Sequence, residues 1–108
     1  MSLPFANLEA ITKQLYSATT SRSICSIKLM DEEGYRLIHP HGVFMSSRKK
    51  LMIACWQRSG VSGQGISEGY KNLSLETCEN VMVLNKKFTK RRDFNPKDDQ
   101  YGEWLFHI

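Results

Sequence analysis

The chain has 108 residues, 41% of them hydrophobic and 24% charged, with a formal net charge of +4. That is the size of one domain with one modest core, and the apolar content excludes disorder through its body. No apolar run reaches the length of a bilayer span, and residues 1–10 lack the basic-then-apolar order of a secretory signal, so a cytoplasmic protein is expected.

Residues 4–18 read as a helix. Phe5, Leu8, Ile11 and Leu15 recur at steps of three and four and form one apolar stripe. Ser2 is placed to cap it, and Pro4 suits the first turn. Residues 23–30 alternate, with Cys25, Ile27 and Leu29 on one face and Ser26 and Lys28 on the other, as in a half-buried strand. Asp31-Glu32-Glu33-Gly34 reads as a hairpin turn with Gly34 at positive φ. A second strand is expected over 35–46. Strict alternation puts Leu37, His39, His41, Val43 and Met45 on one face and Arg36, Ile38, Pro40, Gly42 and Phe44 on the other. Pro40 and Gly42 do not suit a central ladder, and they predict a bulge or an edge position that re-aims the histidines.

The basic turn Ser46-Ser47-Arg48-Lys49-Lys50 leads into 51–58, the most apolar strand, expected at the centre. Residues 59–69 are rich in glycine and serine and read as a loop at the rim. Strands follow at 70–75 and 80–88. Residues 90–100 are polar. Tyr101, Trp104, Leu105 and Phe106 are too apolar to be left in water, and they are expected to dock on the domain or on a partner.

The predicted fold is mainly β with one N-terminal helix: a small, five-stranded, strongly bent barrel of the SH3 or Sm type. Residues 1–95 form the single domain and residues 96–108 the docking tail.

A Pro-His pair closing the second strand, Pro40-His41, is followed by a basic turn and an apolar strand ending in Trp56-Gln57. A Ser/Gly-rich loop then enters Tyr70-Lys71, and a last strand runs from Val81 to Phe88. In this order and spacing, residues 23–95 resemble the WYL domain, and more closely a group of short stand-alone bacterial WYL-like proteins. The resemblance implies a regulatory module that binds a ligand or nucleic acid through basic and aromatic residues. It departs from the pattern at His39, where an acid is usual, at Ala54, where arginine is usual, and at Asn72-Leu73-Ser74. The name-giving triplet falls near Leu51-Met52-Ile53 and is not preserved. Such domains usually accompany a DNA-reading helix-turn-helix, for which the single helix here leaves no room.

The chemistry-bearing residues point the same way. Cys25, Cys55 and Cys78 show no metal-ligand spacing and read as reduced, buried thiols. His39 and His41 share a strand at i and i+2, two ligands where zinc needs more, so neither a metal nor another cofactor is expected. Arg48-Lys49-Lys50 is either a solvated tip or a contact for a phosphate backbone. Trp56 and Tyr70 are either packing residues or a stacking platform. No nucleophile, zincin or phosphate-loop motif occurs, so no catalysis is expected. The expected function is a non-enzymatic binding module for a nucleotide, oligonucleotide or other anionic ligand. Its face would comprise His41, Arg48, Lys50, Gln57, Tyr70 and Lys71. The competing expectation is a protein-interaction module, a homodimer formed through sheet edges and Trp104, Leu105 and Phe106.

Overall fold

A computed structural model describes residues 4–30, 32–60 and 68–108. Helix α1 spans Pro4–Ser21 and is followed by β1 (Ser23–Leu29), β2 (Arg36–Met45), β3 (Leu51–Gly60), β4 (Gly69–Ser74), β5 (Cys78–Lys87) and β6 (Glu103–His107). The fold is mainly β, with one helix against a six-stranded antiparallel sheet. The sheet runs in the order β4-β3-β2-β1-β5, with β6 added to β2. It is open: β4 and β5 end it, and no ladder among the described residues joins them. The expected count of five strands lacked β6, which is built from the apolar tail. The proposed cap Ser2 and most of the loop 59–69 lie outside the described residues.

From Leu8 onward the helix buries the stripe that its spacing predicts; the side chain of Phe5, its first member, lies outside the described residues. Ile11, Leu15 and Ala18 sit in the main core with Cys25, Ile27, Ile38, Val43, Ile53, Cys55, Leu73, Leu75, Cys78 and Val81, and Leu8 packs at its edge. The helix ends at Arg22, which takes a left-handed φ of 55° as its N–H bonds back to the Thr19 carbonyl at 3.2 Å. Among the described residues, the other left-handed non-glycine residue is Lys49, at 64°, in the β2–β3 turn. There Lys49 N–H reaches the Ser46 carbonyl at 2.9 Å, and Ser46 N–H reaches the Lys50 carbonyl at 2.8 Å. This is a three-residue hairpin loop whose last residue must be left-handed. Gly34, expected at positive φ, is not among the positive-φ residues, because the β1–β2 connection is not a tight hairpin.

Strand β2 organises the sheet. Along one edge it pairs with β3 from Arg36 to Met45. Along the other it pairs with β1 at Arg36, Leu37 and Ile38, and then with β6 at Gly42, Val43, Phe44 and Met45. The change of neighbour falls at Pro40-His41-Gly42. Between the pairs Pro40–Cys55 and Gly42–Ala54, His41 is one residue too many, a β-bulge. Proline and glycine are tolerated there because the ladder is already interrupted. The bulge also corrects the strict alternation read from the sequence. Ile38 and Val43 both enter the helix-covered core, whereas alternation assigns them to opposite faces. Beyond the bulge, Phe44 joins the face that carries Leu37 and His39.

That second face is covered by the C-terminal segment. Phe44 is 2% exposed. It meets Tyr101 at 5.2 Å and Trp104 at 5.5 Å between ring centroids, both edge-on. Phe94 is buried against His41, Tyr101 and Trp104. The indole N–H of Trp104 donates to the Pro96 carbonyl at 2.8 Å. Gly42 lets β6 close: a Cβ there would lie 2.5 Å from the Phe106 carbonyl oxygen and 2.7 Å from the Trp104 ring.

Candidate ligand-binding face

Level with His39, just before the His41 bulge, the sheet collects an aromatic and charged cluster on the face away from α1. Trp56 and Tyr70 are direct cross-strand partners on β3 and β4, with ring centroids 5.1 Å apart and planes at 90°. Large aromatics on adjacent strands meet in this way because antiparallel partners share a face. The segment after β5 returns over them. The Arg91 guanidinium lies 3.5 Å from the Trp56 ring centroid and 5.7 Å from that of Tyr70. Contacts this close are cation–π interactions.

Asp93 orients this arginine. Its Oδ1 accepts from Arg91 Nε at 3.0 Å and from the Tyr70 hydroxyl at 2.6 Å, and its Oδ2 accepts from Arg91 Nη2 at 3.3 Å. Arg91, then Tyr70, hold the Asp93 carboxyl below the usual carboxylate range. Desolvation and the hydrogen bond to Asp93 push the Tyr70 phenol up to about 12. Trp56 donates its indole N–H to Glu68 at 3.1 Å.

The two histidines form the floor. His41 is fully buried. Its Nε2 accepts the backbone N–H of Arg91 at 3.4 Å, so Nδ1 carries the proton and donates to the His39 carbonyl at 2.9 Å. Burial, with Arg91 and Lys90 nearby, lowers its pKa and keeps the ring neutral. His39 stacks on Phe88 at 4.9 Å with planes 10° apart, and His41 stacks on the same ring at 5.5 Å. The His39 Nε2 is buried with no hydrogen-bond partner among the described residues. Burial, then the Arg58 charge, then His41, lower its pKa. Arg58, Lys90 and Arg91 therefore all act on the imidazole pair.

The six residues singled out from sequence do not form one site. His41 and Tyr70 come together, with ring centroids 6.4 Å apart, but His41 is an internal strut whose nitrogens are both engaged. Gln57 is buried, and its Oε1 accepts from Arg36 Nη1 at 2.5 Å. Arg36 in turn is ion-paired through two nitrogens to Glu32. Gln57 and Lys71 fall in register with the face of Cys55, opposite Trp56 and Tyr70. Arg48 and Lys50 are exposed at the β2–β3 tip, the far end of that ladder from Trp56. Lys50 also lies 3.8 Å from Glu76.

Sequence reading missed Arg91 and Asp93 as site residues. The run Lys90-Arg91-Arg92 is visible as a basic cluster, but nothing local says that its middle residue folds back onto Trp56. His39, set aside as a departure from the WYL-like pattern, belongs to the floor.

All three cysteines are buried and unpaired. Burial pushes the Cys25 and Cys55 thiols up to about 12 and the Cys78 thiol up to about 11, far from a reactive thiolate. Among the described residues, no three His, Cys, Asp or Glu side chains gather to hold a metal ion, and no helix is long and apolar enough to cross a membrane. No protein-family model, curated protein or solved structure matches the chain.

Proposed function

We propose that the chain is a non-enzymatic binding module that takes a nucleotide, or a short single-stranded stretch of nucleic acid, on the Trp56–Tyr70 face. The observation that carries this reading is the Arg91 guanidinium stacked over Trp56 beside Tyr70, in a cluster open to solvent at Tyr70. A planar cation on an indole marks a surface that accepts planar, electron-poor groups, and bases stack on such surfaces at ~1–3 kcal/mol each. Arg58, Lys90 and Arg92 supply the phosphate attraction. His41 supports the face from beneath. Arg48, Lys50, Gln57 and Lys71 are not part of it.

We also propose, on the order of its motifs, that the chain is WYL-like. We propose that its sheet is a small SH3- or Sm-type barrel left open between β4 and β5. The partition of β2 between three neighbours supports the barrel reading, because strands shared in this way make a sheet curl.

Fluorescence anisotropy with short labelled DNA and RNA strands, at about 50 mM and about 200 mM salt, tests the binding role. Saturable binding that weakens with salt is expected. No binding at the lower salt removes the proposal.

One observation favours an interaction role as well. The edge strand β5 exposes Met82 and Val83, at 54% and 39%. Strand addition there would pair two copies. Sedimentation equilibrium across a concentration series is expected to reveal a reversible dimer, and a monomer throughout would exclude it.

A further inference from the structure

We infer that the groove over Ile24 and Leu37 is a second binding site, and that it takes a small amphiphilic carboxylate. The groove has a volume of about 490 Å³ and is lined by Ile24, Leu37, Leu84, Asn85, Lys86 and Arg58. That volume falls within the usual span of small-ligand pockets.

Two β-bulges make the groove. On β5, residues 84–86 stand against the single residue Ile24 of β1, between the pairs Ser23–Lys87 and Cys25–Val83. On β3, Arg58 is the extra residue between the pairs Leu37–Ser59 and Ile38–Gln57. Bulges bend a strand and redirect its side chains, and they gather next to functional sites. Here one lies on each side of the β1–β2 pair, opposite Ile24 on β5 and between Leu37 and Ile38 on β3, so the strands that flank Ile24 and Leu37 are both displaced close to them.

The chemistry of the walls selects the occupant. Ile24, Leu37 and Leu84 form an aliphatic floor, with Ile24 only 4% exposed. Each bulge contributes one cation to the rim, Arg58 from β3 and Lys86 from β5, and Asn85 adds an amide. No acidic residue is among the described residues that line the groove, and neither cation has an ion pair among them. A neutral apolar molecule would gain nothing from the two exposed charges, and a cation would be repelled. A short aliphatic or aromatic carboxylate satisfies both floor and rim. Charge complementarity, more than shape, thus names the ligand class.

The site is independent of base stacking and shares only Arg58 with the surroundings of Trp56. Octanoate, octanol and acetate are the probes, titrated into the full chain with methyl-labelled isoleucine and leucine and followed by NMR. Octanoate is expected to shift the Ile24, Leu37 and Leu84 methyls saturably, and octanol to bind about tenfold more weakly or worse. Acetate is expected to shift nothing. Lys86→Gln and Arg58→Gln, singly, should each weaken octanoate several-fold without altering the spectrum of the free chain. Trp56→Ala should leave the octanoate response intact, which separates this site from the stacking face. Equal affinity for octanol and octanoate, shifts confined to other methyls, or an unchanged affinity in both glutamine variants would overturn the proposal.

Discussion

Arg91 shows how much one residue can carry. Its backbone N–H fixes the tautomer of His41, its guanidinium covers Trp56, and its ion pair with Asp93 ties Tyr70 into the same cluster. The neutral His41 below it makes stability depend on pH. Its folded pKa is lowered, so the unfolded chain binds the proton more readily. Stability is therefore fully present above the ordinary histidine value, near ~6.5, and is lost as pH falls from there through the folded value. Urea titrations across that window should show the loss. His39, whose pKa burial also lowers, contributes in the same window, so His41→Gln, which keeps a donor and an acceptor, should make the slope shallower without abolishing it, and an unchanged slope would mean that His41 does not contribute. Lys49 carries a different strain. A side chain at φ 64° costs about 1 kcal/mol that glycine does not bear. Lys49→Gly should therefore raise the thermal midpoint by several degrees, ~4–8 °C per kcal/mol for a domain of this size. A lower midpoint would contradict the turn geometry.

Among the elements, those legible in the sequence are the ones whose periodicity is set locally. The helix stripe Leu8, Ile11, Leu15 and the alternation Cys25, Ser26, Ile27, Lys28 follow from the 3.6- and 2-residue periods, and both lie where those periods put them. Strand β2 was legible only as far as its bulge. Pro40 and Gly42 announce an irregularity, but which residue becomes the extra one depends on the partner strand, so the facing of Val43 and Phe44 could not be read. The bulge at Arg58 left no local mark at all. Likewise Trp104 and Phe106 are evidently apolar, yet the edge they pair with is made available only by the way β2 leaves β1. Gly42 gives this element a direct test. Gly42→Ala forces a methyl against the Phe106 carbonyl and the Trp104 ring, and overpacking of this kind costs ~1–3 kcal/mol. Hydrogen exchange should show β6 protection falling more than that of β3. Equal loss in both strands would argue against β6 as a separately docked element.

Over the whole molecule, two layers of packing meet at one sheet. The helix covers the face of Ile38, Val43 and Ile53, and the segment from Phe94 to Trp104 covers the face of Phe44. The C-terminal residues are therefore structural as well as site-forming. Truncation after Lys97 uncovers Phe44 and Phe94, each worth ~1.5–3 kcal/mol when buried. That is a large share of the ~5–15 kcal/mol that holds a domain folded. Chemical denaturation should show a loss of at least ~3 kcal/mol, and a truncated chain as stable as the full one would refute this architecture. The same layering explains the candidate site. The residues proposed from sequence as one face are divided between the two sides of the sheet, because the partition is set by pairing register and not by residue type. On the face that the C-terminal segment covers, the part left accessible is the end with Trp56, Tyr70 and Arg91. The most direct measurement is a titration of a labelled single-stranded oligonucleotide into the wild-type chain and into Trp56→Ala at the same low salt, with circular dichroism confirming that both are folded. The wild type should bind, and Trp56→Ala should bind about tenfold or more weakly, as the loss of one stacked base predicts. Equal affinity in the two chains would contradict the assignment of this face.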